Sequence, residues 1–298
     1  MNEMTFYEAA ERYERKLSDK GRACDANKRS VLKRLKSFIG DVPLSEIDRM
    51  LIDDLHSWLA TTKTKRGGNY AVSTIANHLG YLKALLRWAN EAGKLDSVPV
   101  IKVPKGEERD GFLEPEQVEA LIRELDPWRS DLVMFGLNTG LRKTNCSHLR
   151  WDQLEKDYWE VSIESIKTKN GKKFRTVLNS DARDVILRRL SRAETREGRG
   201  IRRSEFVFAK DLTNKPSVNV CDGVWRKAVV RAGLPEGTCF HTLRHTFASW
   251  HMRNEVPEMV IQQLGGWSNT AMLQRYVHIK DEQKRKAVQG FEGMVRYN

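Results

Sequence analysis

Between Asp96 and Phe112 the chain reads DSVPVIKVPKGEERDGF, with two prolines, two glycines and a high density of charge. No apolar period of either the helical or the strand kind runs through it, so it continues neither type of element. In a chain of 298 residues such a break predicts two domains. The expected division is a first domain over 1–95, a linker over 96–111 and a second domain over 112–298.

The two sides of the break carry different patterns. Upstream, apolar residues recur at helical spacing over 5–17, 25–39, 48–61 and 70–92, most plainly at Ile75, Leu79, Leu82, Leu85 and Leu86. Gly93 stands where a helix C-cap belongs. Four such helices predict a compact bundle. Downstream, LEPEQVEALIREL and PWRSDLVMFGLNTG read as helices, the first with Pro115 near its first turn. From Asp157 to Asn179 the pattern changes: β-branched and aromatic residues flank KNGKK, whose Asn-Gly pair signals a hairpin. Helical spacing returns from Asp181, interrupted by a charged loop over 191–205 and a short FVFA strand over 206–209. The expected fold is mainly α with a small antiparallel β-sheet, in two domains.

Composition narrows the partners. Lys and Arg outnumber Asp and Glu by 52 to 40, a formal charge of +12 that favours a polyanion. At 40% hydrophobic the chain can bury real cores. The four cysteines are scattered without a CxxC pair, which suits free thiols in a reducing cytoplasm better than disulfides or structural zinc. There is no signal-peptide core and no apolar run near the roughly 18 residues of a membrane span. A soluble cytoplasmic protein with no membrane partner is expected. Neither a GxxxxGK[ST] loop nor a GxGxxG turn is present, and no cofactor is expected.

Three basic or imidazole clusters mark the second domain. In NTGLRKTNCSHLRW, Arg142 falls in the first turn of a helix, where a cation opposes the macrodipole, so charge compensation does not explain it. In KTKNGKKFR, several lysines project from one hairpin tip. In HTLRHTFASW, His241 and Arg244 share one helical face and His245 lies a turn beyond His241. No HExxH accompanies that His pair, and no metal is expected. The chain then closes on LGGWSNTAMLQRYVHI, with Trp267 nine residues before Tyr276. Singly these are a surface arginine, solvated turn lysines and packing aromatics.

Taken in order, TGLR…LRW, the basic hairpin, HTLRHTFAS and LGGWSNTAMLQRY resemble the tyrosine recombinase family, which includes the phage integrases. The resemblance covers nearly the whole chain and implies a helical core-DNA-binding domain, then an α+β catalytic domain with a C-terminal tail helix. It implies that Arg142 and Arg244 clamp the scissile phosphate, that His241 accepts a proton and that Tyr276 is the nucleophile. Lys169, with Lys167 as its competitor, would protonate the leaving oxygen. Trp267 stands where the family usually has a histidine; an indole N–H can donate to a phosphate oxygen but cannot carry protons. Asn145 stands where the family often has an acidic residue.

The implied activity is site-specific DNA recombination through a covalent 3′-phosphotyrosine, integrating or excising an element such as a prophage or genomic island. The implied partners are double-stranded DNA attachment sites and a homotetramer assembled on them. Excisionase or DNA-bending accessory proteins are compatible further partners. A type IB-like topoisomerase would share the chemistry but does not call for a partner-docking tail. The first domain begins almost at residue 1, so no separate arm-site domain is expected before it.

Overall fold

The computed structural model describes residues 3–19, 26–64, 67–106, 111–163, 173–209, 215–216, 219–270 and 273. The chain divides into two compact units, residues 1–109 and 110–298. Among the described residues no helix is long and apolar enough to cross a membrane.

The first unit is a bundle of α1 (Phe6–Asp19), α2 (Ala26–Ile39), α3 (Arg49–Thr61) and α4 (Val72–Glu91). Its core is the apolar stripe of each helix, including Phe6, Leu32, Leu35, Leu55, Leu59, Leu79, Leu82 and Leu86. Asp48 starts α3 by accepting a hydrogen bond from the Leu51 amide at 2.9 Å. The break after α4 is only partly free of this unit: Ile101 is buried in the bundle core and Val98 packs against it. These two apolar residues find the helix surface despite the lack of a period around them. Between α2 and α4 lies an open groove of about 470 Å³ with a polar lining that includes Asn27, Ser30, Arg34, Ser73 and Asn77.

The second unit opens with α5 (Pro115–Arg123) and α6 (Pro127–Thr139), each with proline at its first turn. The short α7 (Lys143–Ser147) leads into a three-stranded antiparallel sheet, β1 (Leu154–Glu155), β2 (Glu160–Ile163) and β3 (Phe174–Val177), in the order β1-β2-β3. Val161 lies opposite Leu154 on one side and Thr176 on the other. The link between β2 and β3, with Lys167 and Lys169, lies outside the described residues. Then follow α8 (Ser180–Glu197), α9 (Gly223–Arg231), α10 (Phe240–Arg253) and α11 (Glu258–Gly265). Helix α6 packs on both α8 and α10, and Phe135 on α6 meets Phe208 with ring centroids 5.2 Å apart.

Two local expectations are corrected. The charged stretch from 191 is not a loop from its start, because α8 continues to Glu197. Arg188 and Arg192 reach the buried Asp131 of α6, each at 3.2 Å, which ties the later turns of α8 down. Among the described residues the FVFA segment is not a strand of the sheet but makes isolated bridges, Arg150 with Phe206 and Ala209 with Pro216. Its carbonyls are satisfied by a side chain instead: the buried Arg189 guanidinium donates to Val207 O at 3.1 Å and Ala209 O at 2.9 Å.

Phe135 is fully buried at the junction of α6 with the rest of this core. Phe135→Ala is expected to lower stability by about 3–5 kcal/mol, read as a reduced urea midpoint.

Candidate active site

Two helix C-termini and the first turns of a third helix converge to build the site. Helix α6 stops at Gly140, whose left-handed φ of 62° turns the chain into Leu141 and Arg142. Helix α11 stops in the same way at Gly266, φ 66°. Between them runs α10, carrying His241 in its first turn and Arg244 one turn later. Arg142 is placed one residue earlier than its expected position: it is the N-cap of α7 rather than part of its first turn.

The two arginines meet at adjacent carbonyls. Arg142 is exposed and donates from Nη1 to Gly266 O at 3.1 Å. Arg244 is 3% exposed, and its Nη1 donates to Gly140 O and to Gly265 O. Its Nη2 is buried without a hydrogen-bond partner among the described residues. The guanidinium carbon lies 3.6 Å from the centroid of the Trp267 ring. Neither arginine is ion-paired with a carboxylate among the described residues. Burial first, and the Arg142 charge second, pull the Arg244 pKa down to about 9. It therefore stays charged at neutral pH, with no anion beside it among the described residues.

Among the described residues the surroundings do not supply that anion. The Cys146 thiol is fully buried near Arg244, and desolvation raises its pKa to about 12, so it stays neutral. His241 is exposed, with its ring edge-on to His245 at 4.7 Å between centroids. No group of three His, Cys, Asp or Glu side chains among the described residues is placed to hold a metal ion. The arrangement is suited to an oxyanion, which two guanidiniums can grip from a buried floor and an exposed rim.

The structure thus brings Arg142, Arg244, Trp267 and the helix of His241 together. Trp267 is 7% exposed and belongs to a small cluster with Phe247, Ala248, Ile261 and Leu273. Lys169, its competitor Lys167, and Tyr276 lie outside the described residues. Sequence reasoning missed the carbonyl cradle of Gly140, Gly265 and Gly266. The glycines of NTGLR and LGGW are its only trace in the sequence.

Comparison with known proteins adds an independent line. Residues 111–283 match the sequence model of the Phage integrase family, and residues 5–103 match that of the Phage integrase SAM-like domain. The integrase of Salmonella phage P22 is 35% identical over 220 residues, which is 70% of this chain and 54% of that protein. The chain thus spans about half the length of that relative. A tyrosine recombinase of Pseudothermotoga lettingae is 26% identical over 253 residues, 83% of this chain and 84% of its own. Among solved structures, the Tn1549 transposon integrase in complex with transposon right end DNA has a TM-score of 0.71 at 19% identity, covering 97% of this chain and 99% of that one. A lambda integrase dimer bound to a COC′ core site has a TM-score of 0.70 at 18% identity, covering 90% and 97%. These two likenesses establish the fold.

Inorganic phosphate is expected to bind between the two arginines and stabilise the protein. At about a hundredfold over its dissociation constant the gain is about 2.7 kcal/mol. The increment in melting temperature should vanish in Arg142→Ala and Arg244→Ala. It should also fade as pH rises through about 9, where Arg244 gives up the proton that anion binding requires.

Proposed function

The chain belongs to the phage integrase family, and from that premise we propose that it is a tyrosine-type site-specific DNA recombinase. The observation that carries the reading is the Arg142–Arg244 pair, held on the carbonyls of Gly140, Gly265 and Gly266 with its charge unmatched. A phosphodiester supplies the missing charge in the right form, two non-bridging oxygens for two guanidiniums.

In the proposed reaction the Tyr276 hydroxyl attacks the scissile phosphorus. A Tyr Oη–P bond forms, the P–O5′ bond breaks, and the product is a 3′-phosphotyrosine with a free 5′-hydroxyl. A phenol has an ordinary pKa near 10, so the attack needs a proton acceptor. His241, one turn from Arg244 on α10, fills that role. Arg142 and Arg244 stabilise the charge that grows on the phosphorane oxygens. Lys169, or Lys167 beside it, gives the leaving 5′-oxygen its proton. The covalent link conserves the energy of the broken bond, so a 5′-hydroxyl of another strand reverses the step without ATP.

The substrate on this reading is a double-stranded DNA attachment site, and the element moved is one such as a prophage or genomic island. The first unit is the core-DNA-binding domain. Its α2–α4 groove supports this, since Asn27, Arg34 and Asn77 are side chains suited to base edges in the major groove. Joining two duplexes takes four active sites, so the working form is a tetramer on DNA, with excisionase or DNA-bending proteins as accessory partners. Residues 281–298, with Ala287, Val288 and Phe291, lie outside the described residues, and the docking on a neighbouring subunit that the family resemblance implies for this tail is part of the same proposal. The reaction takes place in the cytoplasm, on chromosomal or phage DNA.

The test is a nicked duplex carrying the cognate site, which traps the covalent step for a denaturing gel. The chain should form an adduct and Tyr276→Phe none; an adduct from Tyr276→Phe would sink the proposal. Lys169→Ala should be slow on the normal duplex and rescued by a 5′-sulfur leaving group, which needs no protonation. Rescue of Lys167→Ala instead would move the role to that residue.

A further inference from the structure

Trp267 meets Arg244 through its ring face rather than through its N–H. The Arg244 guanidinium carbon stands 3.6 Å from the ring centroid. Phe247 is stacked on the same indole, with centroids 6.2 Å apart and planes 20° from parallel. The ring is also pressed against the backbone of Gly265. A Cβ added at Gly265 would overlap Cζ3 and lie 2.6 Å from Cε3 and 2.7 Å from Cη2. All three atoms belong to the benzene half of the indole, which a histidine does not have. Only a residue without a side chain leaves room for tryptophan two positions on.

Gly265 has a second part in the same contact, since its carbonyl accepts from Arg244 Nη1. A guanidinium is planar, so two constraints orient it. The Nη1 bonds to Gly140 and Gly265 fix its rotation, and the indole face fixes its plane. Nη2 is left as the donor without a partner among the described residues.

We infer that Gly265 and Trp267 are a coupled pair of positioning residues, a backbone floor and an aromatic shelf that hold the Arg244 guanidinium ready for the phosphate. This rests on the recombinase reading of the site. It differs from the hydrogen-bond role in needing the aromatic face rather than the indole N–H. It also makes the size of residue 267 and the absence of a side chain at 265 a single requirement.

The experiment uses the full chain and the nicked cognate duplex. It measures the single-turnover rate of adduct formation at saturating duplex, the duplex affinity and the urea midpoint. Trp267→Phe keeps an aromatic face without the N–H and should stay within about tenfold of the parent rate. Trp267→Leu should fall by about a hundredfold or more, with duplex affinity little changed. Gly265→Ala should be as slow as Trp267→Leu. The same change made on Trp267→His should alter the rate by no more than about threefold, because the overlapping atoms are gone.

The proposal is overturned if Trp267→Phe is as slow as Trp267→Leu, or if Gly265→Ala slows both backgrounds equally. Should the unsubstituted chain form no adduct, the recombinase reading is what fails. The urea midpoints then decide the pairing: non-additive shifts for Gly265→Ala and Trp267→His support it, and additive shifts overturn it.

Discussion

Arg244 is buried to 3% exposure against two backbone carbonyls and an indole face, with no carboxylate beside it among the described residues. Burying a charge without a counter-ion is unfavourable, and carbonyl dipoles and a π-face offset only part of the loss. The second unit is arranged so that this deficit is held in one place. Helix α6 delivers the Gly140 carbonyl, α10 the guanidinium and α11 the Gly265 carbonyl, and each of these helices is anchored by apolar packing. Local rules of stability are broken most where a ligand is meant to complete the structure.

Arg142 shows the same deficit in a milder form. It caps the N-terminal end of α7, where the helix dipole disfavours a cation, and its like charge opposes that of Arg244. Exposure lets it approach a bound phosphate from the rim, while Arg244 cannot move far from its cradle. On the proposed reading one guanidinium sets where the phosphate sits and the other closes on it. That division of work follows from burial alone, before any reaction is specified.

Much of this was legible in the sequence because periodicity and motif order are local signals. The bundle helices, the hairpin strands and the placing of His241 and Arg244 on one helix all follow from spacing. What was not legible depended on partners distant in the chain. FVFA has strand composition, but Arg189 of α8, 18 and 20 residues earlier, takes the Val207 and Ala209 carbonyls. The end of α8 looks like a charged loop until Asp131 of α6 is there to receive Arg188 and Arg192. Trp267 invited a reading through its N–H, whereas its burial and its contact with Arg244 are through the ring face. The glycine carbonyls of the cradle carry no side-chain signal at all.

The central claim is that the unmatched charge of Arg244 exists to meet the negative charge of a scissile phosphate. Replacing that one phosphate by a neutral methylphosphonate removes the charge while leaving the bond to be cleaved. On ordinary DNA Arg244→Ala should lose about a hundredfold to a thousandfold in cleavage. On the methylphosphonate duplex it should come within about tenfold of the parent chain. Equal loss on both duplexes, with the parent active on each, would show that Arg244 is needed for something other than the phosphate charge, and would contradict the account.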